Sequence, residues 1–444
     1  MAKLINRAPV PCRQNVRRDG WRLRLSMLAL WVPMLCTTIA LAETTAIEQA
    51  EGKWRMLRGG QPYVAKGVCI WGEAVRLDEL VTAGGNSVRA YDPAHAAWTL
   101  KEAGQRGLTV MLSFDPGKPR HGFDYTDEAK VLAQRERFEQ FIRQHKDDPA
   151  LLVWSVGNEV EFSVRDAAVY ERVMTEMNVL AGLARAIDPN HPVGISLAGM
   201  DERSARFVTR RCPNFQYVGI NGYGGAPQLP AMLDKLKFDL PYFLTEFGPD
   251  GHWEVATTAW DASIEPTSTE KEQQYIQAHA AVSGDKRCLG SYAFYWGHKQ
   301  ELTATWYGMF LKDGRPTATI DAMTFAWTGQ WPEHRAPRIR SLAFTDRPSP
   351  EFKPGETVEA AVALEPGTSP ATYEWSITRE AAERKLGGDF EPDLPVTSDG
   401  LRPTADGRVA IIMPTTPGAY RLCLIVANDR GGVGTGNLCF RVKE

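Results

Sequence analysis

Between about residues 62 and 330 the sequence repeats one unit, a short apolar run followed by an amphipathic stretch. The runs are "YVAKGVCIWG", "NSVRAY", "LTVMLSF", "LLVWSVGNE", "PVGISLAG", "FQYVGINGY", "PYFLTEFG" and "LGSYAFYWG". Several are nearly continuous in apolar residues, which suits strands buried on both faces and connected by crossovers that cover them. The intervening stretches carry helical periodicity. In residues 127–146, Val131, Phe138, Phe141, Ile142 and His145 share one face among charged neighbours, and residues 166–186 read the same way. Eight strand–helix units over roughly 250 residues predict a (β/α)8 barrel.

The pattern changes after residues 332–341, "PEHRAPRIRS", which read as a linker. Beyond it apolar residues alternate with period two: Val358, Ala360, Val362, Leu364; Tyr373, Trp375, Ile377; Tyr420, Leu422, Leu424, Val426; Leu438, Phe440, Val442. Residues 342–444 are therefore expected to form a small antiparallel β-sandwich of immunoglobulin or fibronectin-like type, with Trp375 in its core. Either passive packing or a carbohydrate- or surface-binding role would suit this domain. Cys423 and Cys439 fall on the same side of a hairpin, where a cross-strand disulfide is geometrically allowed. Cys212 with Cys288 is a second possible pair, leaving Cys69 odd.

Of the 444 residues, 43% are hydrophobic and 24% charged, an ordinary globular balance. The first 42 residues differ. Arginines precede "LSMLALWVPMLCTTIALA", and Ala40-Leu41-Ala42 fits a small-residue cleavage site, so residues 1–42 read as a secretory signal peptide. The expectation is an exported protein, periplasmic or secreted, with no stable membrane insertion after cleavage and residues 43–331 as its barrel. The leader has a net charge of +6, which against −3 for the whole chain leaves −9 for the remainder. An acidic protein without an aromatic-studded basic run is a poor nucleic-acid binder. No CxxC or HExxH spacing, P-loop or GxGxxG is present, so neither a metal nor a cofactor is expected. Oligomeric state is not legible.

Barrels of this kind carry function at the C-terminal ends of their strands. Two carboxylates stand out there, Glu159 ending the fourth strand and Glu246 ending the seventh. Burying a carboxylate gains a scaffold nothing unless it is paired. Two carboxylates facing one cavity suit glycosidic bond cleavage, one protonated to help the sugar leave and the other ionised to attack the anomeric carbon. Arg89, at the end of the second strand, and Tyr223, after the sixth, would favour the ionised form of Glu246, whose charge would keep Glu159 protonated. Trp71, Tyr91 and Trp296 would offer flat faces to sugar rings. Trp253 and Trp260 are equally balanced between platform and packing roles, as Asp115 and Glu73 are between site and scaffold. His298 reads as structural or substrate-lining.

"WSVGNE" at 154–159 and "FLTEFG" at 243–248 resemble the acid/base and nucleophile motifs of clan A glycoside hydrolases, with family 2 barrels and the family 72 β-1,3-glucanosyltransferases as the most similar patterns. "KGVCIWG", "NSVRAY", "GINGYGG" and Trp296 fit the same pattern. The resemblance implies Glu159 as acid/base, Glu246 as nucleophile, Asn158 on the hydroxyl beside the anomeric carbon, and Arg89, Tyr91 and Tyr223 in support. It also implies a retaining double displacement on a β-linked glucan or related oligo- or polysaccharide. Alternatives are a β-glucan transglycosylase using a sugar acceptor, and an exported protein that binds glycan without cleaving it. "GISLAG" at 194–199 resembles a serine-hydrolase elbow, but Ala198 replaces its last glycine and no Asp or His partner follows in context.

Overall fold

The computed structural model describes residues 43–72, 76–345, 347, 349–368, 370, 372–382, 384, 385 and 388–444. The expected signal peptide, residues 1–42, and Glu73 lie outside them. The described residues form one compact unit.

Three short strands, β1 (Thr45–Ala50), β2 (Lys53–Arg58) and β3 (Gln61–Tyr63), come first as an antiparallel sheet. They close the barrel floor. Arg58 donates to the carbonyls of Pro149 and Leu151, Trp54 Nε1 to Asp239 O at 2.7 Å, and Met56 is buried among interior barrel side chains.

Eight parallel strands close the barrel: β4 (Ala65–Ile70), β5 (Ser87–Ala90), β6 (Thr109–Ser113), β7 (Leu151–Asn158), β8 (Val193–Leu197), β9 (Tyr217–Asn221), β10 (Tyr242–Phe247) and β11 (Cys288–Ala293). Each coincides with one of the eight apolar runs, β11 starting one residue ahead of its run, at Cys288. Their outward residues, among them Val68, Val88, Val110, Trp154, Ile195 and Leu244, pack against the helices. Cys69, Met111, Val153, Tyr217, Phe243 and Tyr292 fill the interior. The amphipathic stretches fold as Glu128–His145 and Ala167–Ile187, whose N-cap residues Asp127 and Asp166 accept from first-turn backbone N–H groups. Val131 is only half-buried; Phe138, Phe141, Ile142 and His145 face the core.

The C-terminal sheets are β12 (Ile339–Phe344), β13 (Glu351–Phe352), β14 (Thr357–Leu364), β15 (Thr372–Arg379), β16 (Val396–Thr397), β17 (Leu401–Pro403), β18 (Arg408–Ile412), β19 (Gly418–Ala427) and β20 (Val433–Val442). One has the order β12-β14-β18-β17, the other β13-β20-β19-β15-β16. The first of these strands starts at Ile339, slightly ahead of residue 342, and Trp375 is buried between the sheets.

The cysteine expectation fails on register. Cys423 stands opposite Asn437, and Cys439 opposite Arg421, so the two thiols are diagonal neighbours. Diagonal positions lie ~7–8 Å apart, beyond the reach of a disulfide. Both are free, as are Cys212 and Cys288. The face that carries them packs on the barrel. Arg421 Nη2 donates to Ser263 O at 2.8 Å and to Glu380 at 2.7 Å, Asn437 Nδ2 to Glu265 at 2.5 Å, and Lys271 Nζ pairs with Glu265 at 2.5 Å. Buried charges of this kind require partners, and here they come from both domains.

Candidate active site

Both carboxylates sit just past an irregularity in their strand. On β10, Leu244 pairs with Ile220 and Glu246 with the next residue, Asn221, so one extra residue is inserted. Strict alternation would send Glu246 outward with Leu244. The bulge turns it inward beside Thr245, the kind of re-aiming that bulges allow. On β7, Ser155 pairs with Gly194 and Asn158 with Ser196, again with one residue to spare. Gly157 sits there at φ +134°, with Val160 and Pro116 crowding where a side chain would go, so only glycine fits. Glu159 itself has φ +51°, a left-handed conformation that costs a non-glycine residue energy and often marks functional positions.

Glu246 is gripped from three sides. Its Oε1 accepts from Tyr91 Oη at 2.7 Å and Arg89 Nη1 at 3.1 Å, and its Oε2 accepts from Tyr223 Oη at 2.7 Å. Arg89 is fully buried, and its guanidinium lies 4.4 Å from the Tyr91 ring centroid. Its Nη2 also donates to Asn158 Oδ1 at 2.7 Å. Asn221 joins the two halves of the site. Its Nδ2 donates to Glu159 Oε1 at 2.8 Å and Asn158 Oδ1 at 3.0 Å, while its Oδ1 accepts from Thr245 Oγ1 at 2.8 Å and Arg89 Nη1 at 3.3 Å. Burial pushes the Glu159 carboxyl up to about 8, and the negative charge of Glu246 adds to the shift. Desolvation, rather than the neighbouring charge, is its larger cause.

These groups open into a cavity of about 1020 Å³ lined by Trp71, Tyr91, Asn158, Glu159, Tyr223 and Glu246, with Trp253 and Tyr295 beside them. Trp71 is exposed and stacks on Tyr91, centroids 6.1 Å apart. Trp253 is exposed in the cavity, whereas Trp260 does not line it. Asp115 and His298 do line it, the first near Lys118 at 3.5 Å and the second near Asp393 at 3.3 Å. Trp296 is misplaced by the sequence reading. It is 2% exposed and packs edge-on against Phe310 on the helix side of the barrel wall, so its neighbour Tyr295 faces the cleft instead. Ser196 is buried against Ser155 Oγ at 3.2 Å and is no nucleophile elbow.

Sequence reasoning stopped short of Asn221, although it ends a strand immediately before Gly222-Tyr223. Glu301 gave no signal because it lies in a loop without pattern. It lines the cavity, is pushed up by burial, and has Lys299 Nζ 3.2 Å away.

Residues 94–277 match the family model "Glycosyl hydrolases family 2, TIM barrel domain". The barrel is similar to family 2 catalytic barrels. A β-glucuronidase of Paenibacillus borealis is 22% identical over 275 residues, covering 56% of this chain and 44% of that protein. One from Sus scrofa is 26% identical over 143 residues, covering 32% and 21%. The chain thus spans less than half the length of these curated relatives. The solved structure of an uncultured Clostridium sp. β-glucuronidase superposes with TM-score 0.51 at 18% identity, covering 65% of this chain and 54% of that one, a likeness of fold. Among the described residues no helix is long and apolar enough to cross a membrane.

Proposed function

We propose that this protein is a retaining glycoside hydrolase acting on a β-linked glycan. The observation that carries the reading is the pairing of two unlike carboxylates in one cleft. Glu246 faces three donors and Glu159 is held up near 8, linked through Arg89 and Asn221. Unlike environments for paired carboxyls divide nucleophile from acid.

In the first step Glu246 attacks the anomeric carbon and forms a glycosyl ester, while Glu159 gives its proton to the departing oxygen. Esterification removes the charge on Glu246, which eases ionisation of Glu159. Glu159 then takes a proton from water as that water attacks the anomeric carbon, releasing Glu246 and a sugar of unchanged anomeric configuration. Arg89, Tyr91 and Tyr223 hold the nucleophile, and Asn158 contacts the adjacent hydroxyl. Trp71 and Trp253 give the cleft apolar faces on which an acceptor sugar could replace water, which supports transglycosylation as the second reading. We also propose export, on the arginine-led apolar leader; N-terminal sequencing of the protein recovered from the periplasm or medium tests it.

The deciding experiment incubates the enzyme with β-1,2-, β-1,3-, β-1,4- and β-1,6-linked glucose oligosaccharides and reads product size and the anomeric configuration first released. Uronosyl oligosaccharides belong in the panel, because Lys118, Arg120, Lys299 and Lys385 line the cavity and the relatives are called β-glucuronidases. Shorter β-configured products support hydrolysis, longer ones support transfer, and inversion refutes the double displacement. Binding without turnover would favour a glycan-binding protein.

A further inference from the structure

We infer that the C-terminal sandwich builds part of the glycan cleft, with Phe390 as the platform of a sugar-ring subsite remote from the bond cleaved. The inference rests on the glycoside hydrolase reading and extends it to a second domain. Among the described residues, the large apolar aromatic side chains left exposed are Trp71, Trp253 and Phe390, and all three line the same cavity. They come from three separate loops, two in the barrel and one in the sandwich. Phe390 is 85% exposed, a costly position for a phenyl ring with nothing on it.

Its loop, between β15 and β16, is fastened to the barrel on several sides. Asp389 meets Arg120 at 3.2 Å and His121 Nε2 at 3.2 Å, and Lys299 Nζ donates to Gly388 O at 3.2 Å. Glu391, itself buried, accepts from Leu302 N at 2.7 Å, and Asp393 meets His298 at 3.3 Å and pairs with Lys312. These contacts reach the loops that follow β6 and β11, the same rim that holds Asp115 and Tyr295. The loop that carries the ring is therefore held in place before any ligand arrives, which reduces the ordering cost of binding. Lys385 and Asp389 line the cavity beside it. An apolar face flanked by polar groups matches a pyranose, whose C–H face is apolar and whose rim carries hydroxyls.

The test compares kcat/KM on the tetrasaccharide that the wild type turns over best with kcat/KM on the 4-nitrophenyl monoglycoside of the same sugar. Phe390→Ala should lower the ratio of the two about tenfold, the equivalent of ~1.4 kcal/mol, mainly through KM, and Phe390→Trp should restore it. A ratio within about twofold of wild type, or an equal fall on both substrates, would overturn the inference. Should the wild type turn over none of the panel, the hydrolase reading fails separately, and calorimetric titration of the same tetrasaccharides decides the subsite. Binding about tenfold weaker in Phe390→Ala supports it; equal binding, or none by either protein, overturns it.

Discussion

Replacing Glu159 by glutamine should end turnover of oligosaccharides and alkyl glycosides and at the same time make the protein more stable at neutral pH. A carboxyl that titrates near 8 when folded, against an ordinary value of 4.5, keeps its proton on folding through a range where the unfolded chain has lost it. The folded pKa is the higher one. The stability this group allows is therefore fully present below about 4.5 and is lost as pH rises towards 8. At pH 7 the loss approaches ~3 kcal/mol relative to pH 4, and about 2–3 kcal/mol once the solvent-facing part of the side chain is allowed for. Glutamine does not titrate, yet its carbonyl can still accept from Asn221 Nδ2. Urea unfolding of wild type and Glu159→Gln at half-unit steps from pH 4.5 to 8 measures the difference. The two stability curves should diverge by that amount, with the variant higher at pH 7. Curves that stay parallel would refute the assignment of a raised carboxyl. In the proposed acid role the same group would set the alkaline limb of activity, so wild-type kcat/KM should fall about tenfold per pH unit above about 8. A glycoside with an acidic phenol as leaving group needs no proton and should lose far less in Glu159→Gln than an alkyl glycoside does.

Glu246→Gln should abolish turnover on every substrate, including the activated phenol glycoside, while circular dichroism stays unchanged; retained activity would remove it as nucleophile. Tyr91→Phe and Tyr223→Phe each delete one donor to Glu246 and should lower kcat/KM by ~10–100-fold in steady-state assays. Trp296→Ala should act through stability, costing about 3–5 kcal/mol in denaturant unfolding, with KM for oligosaccharides unmoved. Wild type should unfold at the same urea midpoint with and without reductant, because Cys423 and Cys439 are not joined.

Eight apolar runs separated by amphipathic stretches were enough to specify the barrel, because a parallel strand buried on both faces must be apolar along its length. Period two and its punctuation marked β14, β15, β19 and β20 in the same way, whereas β12 begins at Ile339 inside the stretch read as a linker. Glu159 and Glu246 were legible as charges at the tips of such runs, where no scaffold needs them. Their direction was not. Alternation points Glu246 outward, and only the inserted residue between Leu244 and Glu246 brings it against Tyr91, Arg89 and Tyr223. Trp296 shows the reverse error, since its place after β11 suggested the cleft while the chain's path put it against Phe310. Cys423 and Cys439 share a face by sequence, but register sets them diagonally apart. Phe390 had no sequence signal at all. The sequence determined strands, helices and the two acids through local periodicity; bulges, register and domain docking, which depend on pairing partners far along the chain, decided which side chains meet in the cleft.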